Sequence, residues 1–309
     1  QLNYKLIFRI SLAQKLLTFF TVIPLALLLK SFWAFIFADI VGSIFLFIAS
    51  HIMFRSKLKY SLKNFKQQWY FTKWLLGKNI LGYCRSQIDV LFVSKMFKSS
   101  LVGNYNMAKE IAMMPGHYIL APAIEPLLAS LKNLKQDPTA FLIHFLKAHV
   151  LLSVLAAPIC VFVYFQSESI VHVLLGNQWV IASDILALFS LLFFYWINLL
   201  LLESVLMAKG KVKLLFDLDI ISFIATTIVL SLAYINQFSL LETAQMRVFT
   251  GIVLTLIESV AVMKVINGSW AGYIISILWP LITSFLCGKL LIAHANLSSN
   301  HLLSLMGNG

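Results

Sequence analysis

The chain has 309 residues, of which 60% are hydrophobic and 12% are charged. Average soluble domains have about 45 to 50% apolar and roughly 25% charged residues, so this composition excludes a soluble globular protein and predicts an all-α, polytopic membrane protein. The net charge of +12 does not indicate binding to nucleic acid, because no basic stripe interleaved with polar and aromatic residues occurs in a soluble segment.

A span length of about 20 apolar residues predicts nine membrane helices. They lie at residues 10–29, 32–54, 72–96, 103–130, 142–165, 183–207, 213–235, 247–267 and 270–293. The first is not expected to be a signal peptide, because no small-residue cleavage site follows a short hydrophobic region. The chain begins with Gln1 and not with Met. We therefore expect that it was processed or is a piece of a longer protein.

Basic residues in the connections predict the orientation. The connection after the second helix, RSKLKYSLKNFKQQ at residues 55–68, is the most basic. Alternate later connections also carry lysines, namely Lys132 and Lys135, then Lys209, Lys211 and Lys213, then Lys264. By the positive-inside rule these connections face the cytoplasm, although Lys95 and Lys98 in KMFKSS disagree with the alternation. The 55–68 segment is either a solvated linker or a site for anionic lipid or a partner.

The same basic segment gives the best internal boundary, because it separates two candidate helices from seven others. We predict four regions on this basis. They are the end of an N-terminal lobe at 1–54, a basic cytoplasmic linker at 55–71, a six-helix lobe at 72–267, and an additional helix and tail at 268–309.

Ionisable residues are concentrated in the third and fourth candidate helices, where burial in hydrocarbon is costly. Lys78, Arg85 and Asp89 are separated by seven and four residues, and these steps return to nearly the same face of a helix. Two interpretations are open: Arg85 and Asp89 form an intrahelical ion pair, or the stripe lines a transport cavity. We expect the cavity, because ionisable residues inside membrane helices are functional by default.

The fourth candidate helix adds Lys109, Glu110 and His117. Lys109 and Glu110 are adjacent in sequence and therefore point in different directions. His117 is either a proton carrier or a hydrogen-bonded structural histidine. A kinked backbone is also predicted here, because three prolines interrupt the helix, at Pro115, Pro122 and Pro126.

Four more carboxylates lie in later helices. Asp217 and Asp219 lie near the start of the span at 213–235, where the positive end of the helix dipole favours carboxylates, so we expect them to cap that helix. Glu203 and Glu258 lie deeper in apolar segments. Either could serve ion coupling, and the sequence singles out neither.

No motif of a catalytic centre is present. The chain lacks the patterns G-x-S-x-G, HExxH and GxxxxGK[ST]. Cys84, Cys160 and Cys287 have no CxxC or Cys/His spacing, so we expect neither a disulfide framework nor a metal site. We therefore expect no enzymatic activity and no cofactor. Transport would use an ion gradient, the membrane potential or the substrate's own gradient.

Three motifs carry a resemblance to a known family. Residues 101–131, LVGNYNMAKEIAMMPGHYILAPAIEPLLASL, contain G-x-Y-x-x-A followed by a proline-bearing apolar run. VLLGNQWVIASDILALFSL adds Leu-Gly-x-x-Trp ahead of a helix, and ESVLMAKGKVKLLFDL adds an Ala-x-Gly-Lys turn. In order and spacing, the motifs resemble bacterial polysaccharide flippases, the O-antigen and exopolysaccharide translocases of the multidrug/oligosaccharidyl-lipid/polysaccharide exporter superfamily.

The resemblance implies two six-helix lobes that face a central cavity. This chain would supply the last two helices of the first lobe, the whole second lobe and one further span, and the first four helices would be absent. The implied function is translocation of an undecaprenyl-diphosphate-linked oligosaccharide across the bacterial inner membrane, coupled to an ion. Implied partners are this lipid-linked oligosaccharide, membrane lipids, a polysaccharide polymerase and glycosyltransferases.

The resemblance also implies roles for the charged residues. Lys78, Arg85 and Lys109 would bind the substrate, and Arg85 is preferred because its planar fork of donors matches phosphate oxygens. The residues implied for ion coupling or ion pairing are Asp89, Glu110 and His117. Asp89 would hold Arg85 in place, or exchange a proton or sodium ion.

Three alternatives remain open. A drug/cation antiporter of the same superfamily would have a cavity lined by acidic and aromatic groups, which the cationic bias of the third helix opposes. A non-transporting scaffold for glycosyltransferases would use the 55–68 segment as a docking surface and would not need charges in the membrane. An integral-membrane polymerase would want a large periplasmic loop, and none is predicted.

Overall fold

The computed structural model describes residues 4–54 and 65–306, and this part of the chain is helical with no strand. The all-α fold class predicted from composition is therefore confirmed. The helices are α1 (Tyr4–Leu29), α2 (Trp33–Phe54), α3 (Phe65–Met96), α4 (Ser99–Pro115), α5 (Ala121–Asn133), α6 (Pro138–Phe165), α7 (Ser167–Leu175), α8 (Ile181–Lys209), α9 (Val212–Ile235), α10 (Leu240–Ile266) and α11 (Trp270–Met306). A π-helical turn joins α4 to α5, and a 3-10 turn joins α7 to α8.

Seven of the described helices are long and apolar enough to cross a membrane. They coincide with seven of the nine predicted spans. The span predicted at 72–96 lies within α3, which is long enough but carries too many charged and polar residues. The span predicted at 103–130 is divided among α4, the π-helical turn and α5. The chain is thus a multi-pass membrane protein in which two helical segments are polar.

Residues 1–65 form one of two compact units, and its described part is a helical hairpin of α1 and α2. Ala34, Ala38 and Gly42 recur every four residues on one face of α2, and all three are buried. A Cβ added at Gly42 would overlap the Thr18 hydroxyl of α1. Small residues at this spacing allow two membrane helices to approach closely.

Residues 66–309 form the second compact unit, and α8 is its central helix. It contacts α4, α5, α6, α7, α9 and α10. Almost the whole surface of α8 is apolar, and a helix that is hydrophobic all round is stable only where other helices or lipid cover it. α11 packs against α6, so the additional helix predicted at 268–309 lies in the same unit as the predicted lobe.

The prolines of the fourth candidate helix do interrupt it. α4 ends at Pro115, and Gly116–Leu120 form the π-helical turn. Proline has no backbone N–H and its ring clashes with the preceding turn, so the regular hydrogen-bond ladder is broken and a wider turn takes up the change. Only glycine fits at Gly116, because an added Cβ would lie 2.8 Å from Trp196 and 3.1 Å from Phe193 of α8.

The lysine-rich connections lie at the same end of the second unit. Lys135 Nζ in the α5–α6 connection lies beside Gly210 in the α8–α9 turn, and Gly268 after α10 faces Leu142 at the start of α6. The last residues of α3 and α9 line a common pocket at the opposite end. We call the first of these the basic end, and its lysines include Lys132, Lys135, Lys209, Lys211, Lys213 and Lys264. That it faces the cytoplasm stays a prediction.

The predicted basic linker at 55–71 is described only in part. Its residues 55–64, with Arg55, Lys57, Lys59 and Lys63, lie outside the described residues. The boundary between the two compact units falls after Phe65, inside the predicted linker. The division into four regions otherwise stays a prediction.

Candidate functional site

A cavity of about 170 Å³ with charged groups in its wall lies between α3, α4, α8, α9 and α10. Of the described residues, three cations line it, namely Arg85, Lys109 and Arg247, together with the carboxylate of Glu258. Hydroxyl groups and aromatic rings complete the wall. Charged groups inside an apolar helical bundle mark a functional cavity, so this cavity is the candidate site.

Two cations of α3 reach carboxylates on neighbouring helices. Lys78 Nζ donates to Glu203 Oε2 of α8 at 2.6 Å. Arg85 Nη1 lies 3.2 Å from Asp219 Oδ1 of α9. Arg85 therefore pairs with Asp219, and the intrahelical pair with Asp89 that the sequence left open is not among the described contacts. Asp219 thus holds Arg85, which is one of the two roles that the family resemblance implies for Asp89.

Asp89 is fully buried between two cations of other helices. Lys109 Nζ of α4 donates to its two carboxylate oxygens at 2.9 and 3.0 Å, and Arg247 Nε of α10 lies 3.6 Å from Oδ2. Lys109 also donates to the Ser86 carbonyl at 2.7 Å, and Arg247 Nη1 donates to the Tyr195 hydroxyl at 3.0 Å. These donors compensate the loss of hydration that a buried carboxylate suffers.

The ionisable groups around the cavity balance in charge. Glu258 lies in the wall with the Ser222 hydroxyl donating to it at 3.4 Å. We define the charge cluster as four cations and four carboxylates, Lys78, Arg85, Lys109, Arg247, Asp89, Glu203, Asp219 and Glu258. Three of the cations line the cavity, whereas Asp89, Glu203 and Asp219 do not. The wall is therefore cationic although the cluster as a whole is neutral when all eight groups are ionised.

The remaining predicted site residues occupy different positions. His117 belongs to the π-helical turn and lines the cavity, with its ring centroid 4.6 Å from that of Trp196. Glu110 is exposed and does not line the cavity, and Lys78 also lies outside the wall. Of the six predicted site residues, the cavity wall contains Arg85, Lys109 and His117.

Arg247 is a site residue that the sequence analysis missed. The predicted span began at residue 247, which put this arginine at the membrane surface, but α10 begins at Leu240 and carries Arg247 inside the bundle. A capping box sets this earlier start: Ser239 N donates to the Glu242 carboxylate at 2.8 Å, and Glu242 N donates to Ser239 Oγ at 3.3 Å. The Ser-Leu-Leu-Glu sequence was the signal that could have placed the helix start.

Asp219 is a second missed site residue. The capping interpretation is wrong for it, because α9 begins at Val212 and Asp219 lies two turns inside the helix, 2% exposed. Asp217 is exposed on the same helix. The signal that separates the two aspartates is helical position, since residues two apart face different sides.

The motifs that carry the family resemblance are packing motifs in the structure. In the G-x-Y-x-x-A motif, Gly103 faces Trp179, and a Cβ added at Gly103 would lie 3.5 Å from the Trp179 ring. Tyr105 is fully buried with its ring edge-on to Phe189 at 5.1 Å. Gly210 of the Ala-x-Gly-Lys turn ends α8 with a φ of +73°, a conformation that favours glycine. Two of the motifs therefore contact each other.

The fold and cavity define a multi-pass helical membrane protein with a cationic internal site. A protein-family model described as "Polysaccharide biosynthesis protein" matches residues 1–184, which is more than half of the chain. The chain belongs to this family, and its predicted resemblance to polysaccharide flippases is confirmed at the level of the family. It is a multi-pass bacterial membrane protein.

Three curated relatives are similar over part of their length. "Uncharacterized membrane protein in cps region" of Klebsiella pneumoniae is 25% identical over 50% of this chain and 32% of its own length. "Lipopolysaccharide biosynthesis protein WzxC" of Escherichia coli K12 is 21% identical over 54% and 34%. "Teichuronic acid biosynthesis protein TuaB" of Bacillus subtilis 168 is 24% identical over 78% and 50%. The chain thus spans a third to a half of these relatives. No solved structure matches it.

Proposed function

We propose that this chain forms one lobe of a transporter that moves a diphosphate-linked lipid oligosaccharide across the bacterial inner membrane. The observation that carries the proposal is the cationic wall formed by Arg85, Lys109 and Arg247. Family membership supports it, as do two relatives named for the biosynthesis of lipopolysaccharide and of teichuronic acid.

The exposure of the side chains favours an anionic ligand. Arg85 and Lys109 are each 17% exposed and Arg247 is 11% exposed, whereas Asp89 is 0% and Asp219 is 3% exposed. A ligand in the cavity therefore meets the cations before their carboxylate partners. A diphosphate that leaves water needs such charged donors, and arginine offers a planar fork that matches its oxygens.

Electroneutrality of the charge cluster supports coupling to a cation. When all eight groups of the charge cluster are ionised, their charges balance, so a diphosphate then adds uncompensated negative charge in a region of low dielectric. Uptake of a proton or sodium ion by a carboxylate offsets it. We assign this role to Glu258, which lies in the wall, and not to Asp89, whose two oxygens already accept hydrogen bonds from Lys109. Asp219 is the second candidate, because its Oδ2 has no hydrogen-bond partner among the described residues.

The wall also bears on the alternatives. An antiporter for cationic drugs would need the acidic groups in the wall to outnumber the cations, and the described part of the wall has the opposite balance. Its aromatic rings, Tyr195 and Trp196, suit either substrate. A scaffold for glycosyltransferases would not depend on Arg85 or Asp219 at all.

The test is polysaccharide export by the complete gene product in a bacterial strain that lacks its own exporter. The double variant Arg85→Met with Asp219→Leu removes both charges of one pair, so it leaves no unpaired charge to unfold the protein. We expect a normal amount of protein in the membrane and a more than ten-fold loss of export. Lys289→Ala is the matched control, because Lys289 is exposed on α11 and does not line the cavity.

Normal export by the double variant would contradict the proposal and favour the scaffold. Arg85→Lys then separates charge from shape. It keeps the cation but loses the planar fork, so we expect export between those of the wild type and the double variant.

A further inference from the structure

A second pocket, of about 470 Å³, lies at the basic end and is separate from the cavity. It is formed by the first turns of the described part of α3 and by the turn that joins α8 to α9. Tyr70 and Trp74 line it from α3, and Lys211, Lys213 and Asp217 line it from the other side. None of these residues lines the cationic cavity.

The pocket concentrates positive charge around one aromatic ring. Lys73 Nζ lies 5.0 Å and Lys213 Nζ lies 5.7 Å from the ring centroid of Trp74, so no more than about 11 Å separates the two ammonium groups. Lys211 adds a third positive charge, and Asp217 is the acidic residue of the described lining. Like charges at this separation repel, and an anion between them offsets the repulsion.

A further lysine, from the α5–α6 connection, lies close to the α8–α9 turn. Lys135 Nζ lies beside Gly210, which belongs to the lining. An oxyanion in the pocket would supply a counter-charge for these lysines.

The position of the pocket indicates which kind of molecule supplies that anion. Tryptophan and tyrosine near the ends of membrane helices lie at the level of the lipid headgroups, and clustered lysines at such a position bind anionic lipids. α8 and α9 are both apolar enough to cross the membrane, and the pocket is at their shared end. We propose that the pocket binds the phosphate of an anionic phospholipid in the leaflet at the basic end.

The experiment titrates the purified full chain, in a neutral detergent, with phosphatidylglycerol that carries a fluorescent acyl chain. A parallel titration uses phosphatidylcholine with the same fluorescent label. A competition experiment then adds inorganic phosphate to the complex with labelled phosphatidylglycerol. The pocket variant is Lys211→Ala with Lys213→Ala. The matched control is Lys132→Ala with Lys264→Ala, which removes the same charge from exposed positions at the same end that do not line the pocket.

We expect phosphatidylglycerol to bind more than ten-fold more tightly than phosphatidylcholine. Each pocket lysine should contribute about five-fold, so the pocket variant should bind phosphatidylglycerol about 10- to 30-fold more weakly and the control less than three-fold more weakly. Trp74→Phe keeps an aromatic ring but replaces the larger indole, so it should weaken binding by a smaller factor than the loss of the two lysines.

Two results would overturn the proposal. Equal losses in the pocket variant and the control would mean that only the overall charge of the basic end matters. Displacement of the lipid by millimolar inorganic phosphate would mean that the pocket takes a free anion. The proposal does not rest on the transport function, and export that fails while lipid binding persists separates the two.

Discussion

The ion pair between Arg85 and Asp219 can be tested by a double-mutant cycle. The side chain of Asp219 is 3% exposed, and loss of Arg85 leaves its carboxylate uncompensated in the bundle. Removing one partner of a buried pair costs about 3 to 5 kcal/mol. Arg85 is 17% exposed and lines the cavity, so water can hydrate it once Asp219 is gone. We therefore expect Arg85→Met to be the more destabilising of the two single changes.

The magnitudes follow from these exposures. We expect a loss of about 3 to 5 kcal/mol in the free energy of unfolding for Arg85→Met and of about 1 to 3 kcal/mol for Asp219→Leu. The double variant replaces the pair by apolar groups and should lose less than the sum of the two. The coupling energy should then be about 2 to 3 kcal/mol, at the upper end for residues in direct contact.

The assay is unfolding of the purified full chain as the fraction of denaturing detergent rises, followed by helical circular dichroism. The matched cycle pairs Arg85→Met with Asp89→Leu, the partner that an intrahelical ion pair would use. Arg85 and Asp89 are close on one helix face but are not paired among the described contacts, so their coupling should be clearly smaller, below about 1 kcal/mol. Strong coupling in the Asp89 cycle and none in the Asp219 cycle would refute the observed pairing and restore the intrahelical pair.

Two further pairs of substitutions test local features. Gly251→Ala should lower the free energy of unfolding by about 1 to 3 kcal/mol, because the new methyl group would overlap the ring of Tyr195. Gly82→Ala is its control, since no atom lies within 4 Å of an added Cβ, and it should be neutral or stabilising by up to about 1 kcal/mol. Asp137 caps α6 by accepting from two backbone N–H groups at 3.1 and 3.0 Å, so Asp137→Ala should cost about 1 kcal/mol and Asp137→Asn much less, by the same unfolding assay.

The apolar helices were predictable because their signal is local. A run of about 20 apolar residues is visible in the sequence whatever it packs against, and the seven predicted spans that coincide with long apolar helices are of this kind. The polar helices were harder to predict from the sequence, because α3 is long and helical but does not have the composition of a membrane span. Its helical character could be predicted, while its dependence on neighbouring helices could not.

The partners of the charged residues could not be predicted, because they depend on contacts between distant parts of the chain. Lys78, Arg85 and Asp89 were correctly placed on one helix. The carboxylate of Glu203 lies 125 residues after Lys78, and a helical period does not reach across that distance. Arg247 was missed because the predicted start of α10 was about two turns too late. An arginine at a membrane surface needs no explanation, whereas one inside the bundle does.

The charges of α3 have a consequence for how the protein is made. Each ionised side chain costs about 2.5 to 3.5 kcal/mol at the centre of a membrane helix. The compensating carboxylates of α8 and α9 are synthesised more than a hundred residues later. At about 5 to 20 residues per second, this delay is on the order of 10 s. During that time α3 lacks these partners, so we expect its charged side chains to be fully compensated only after α8 and α9 have emerged from the ribosome.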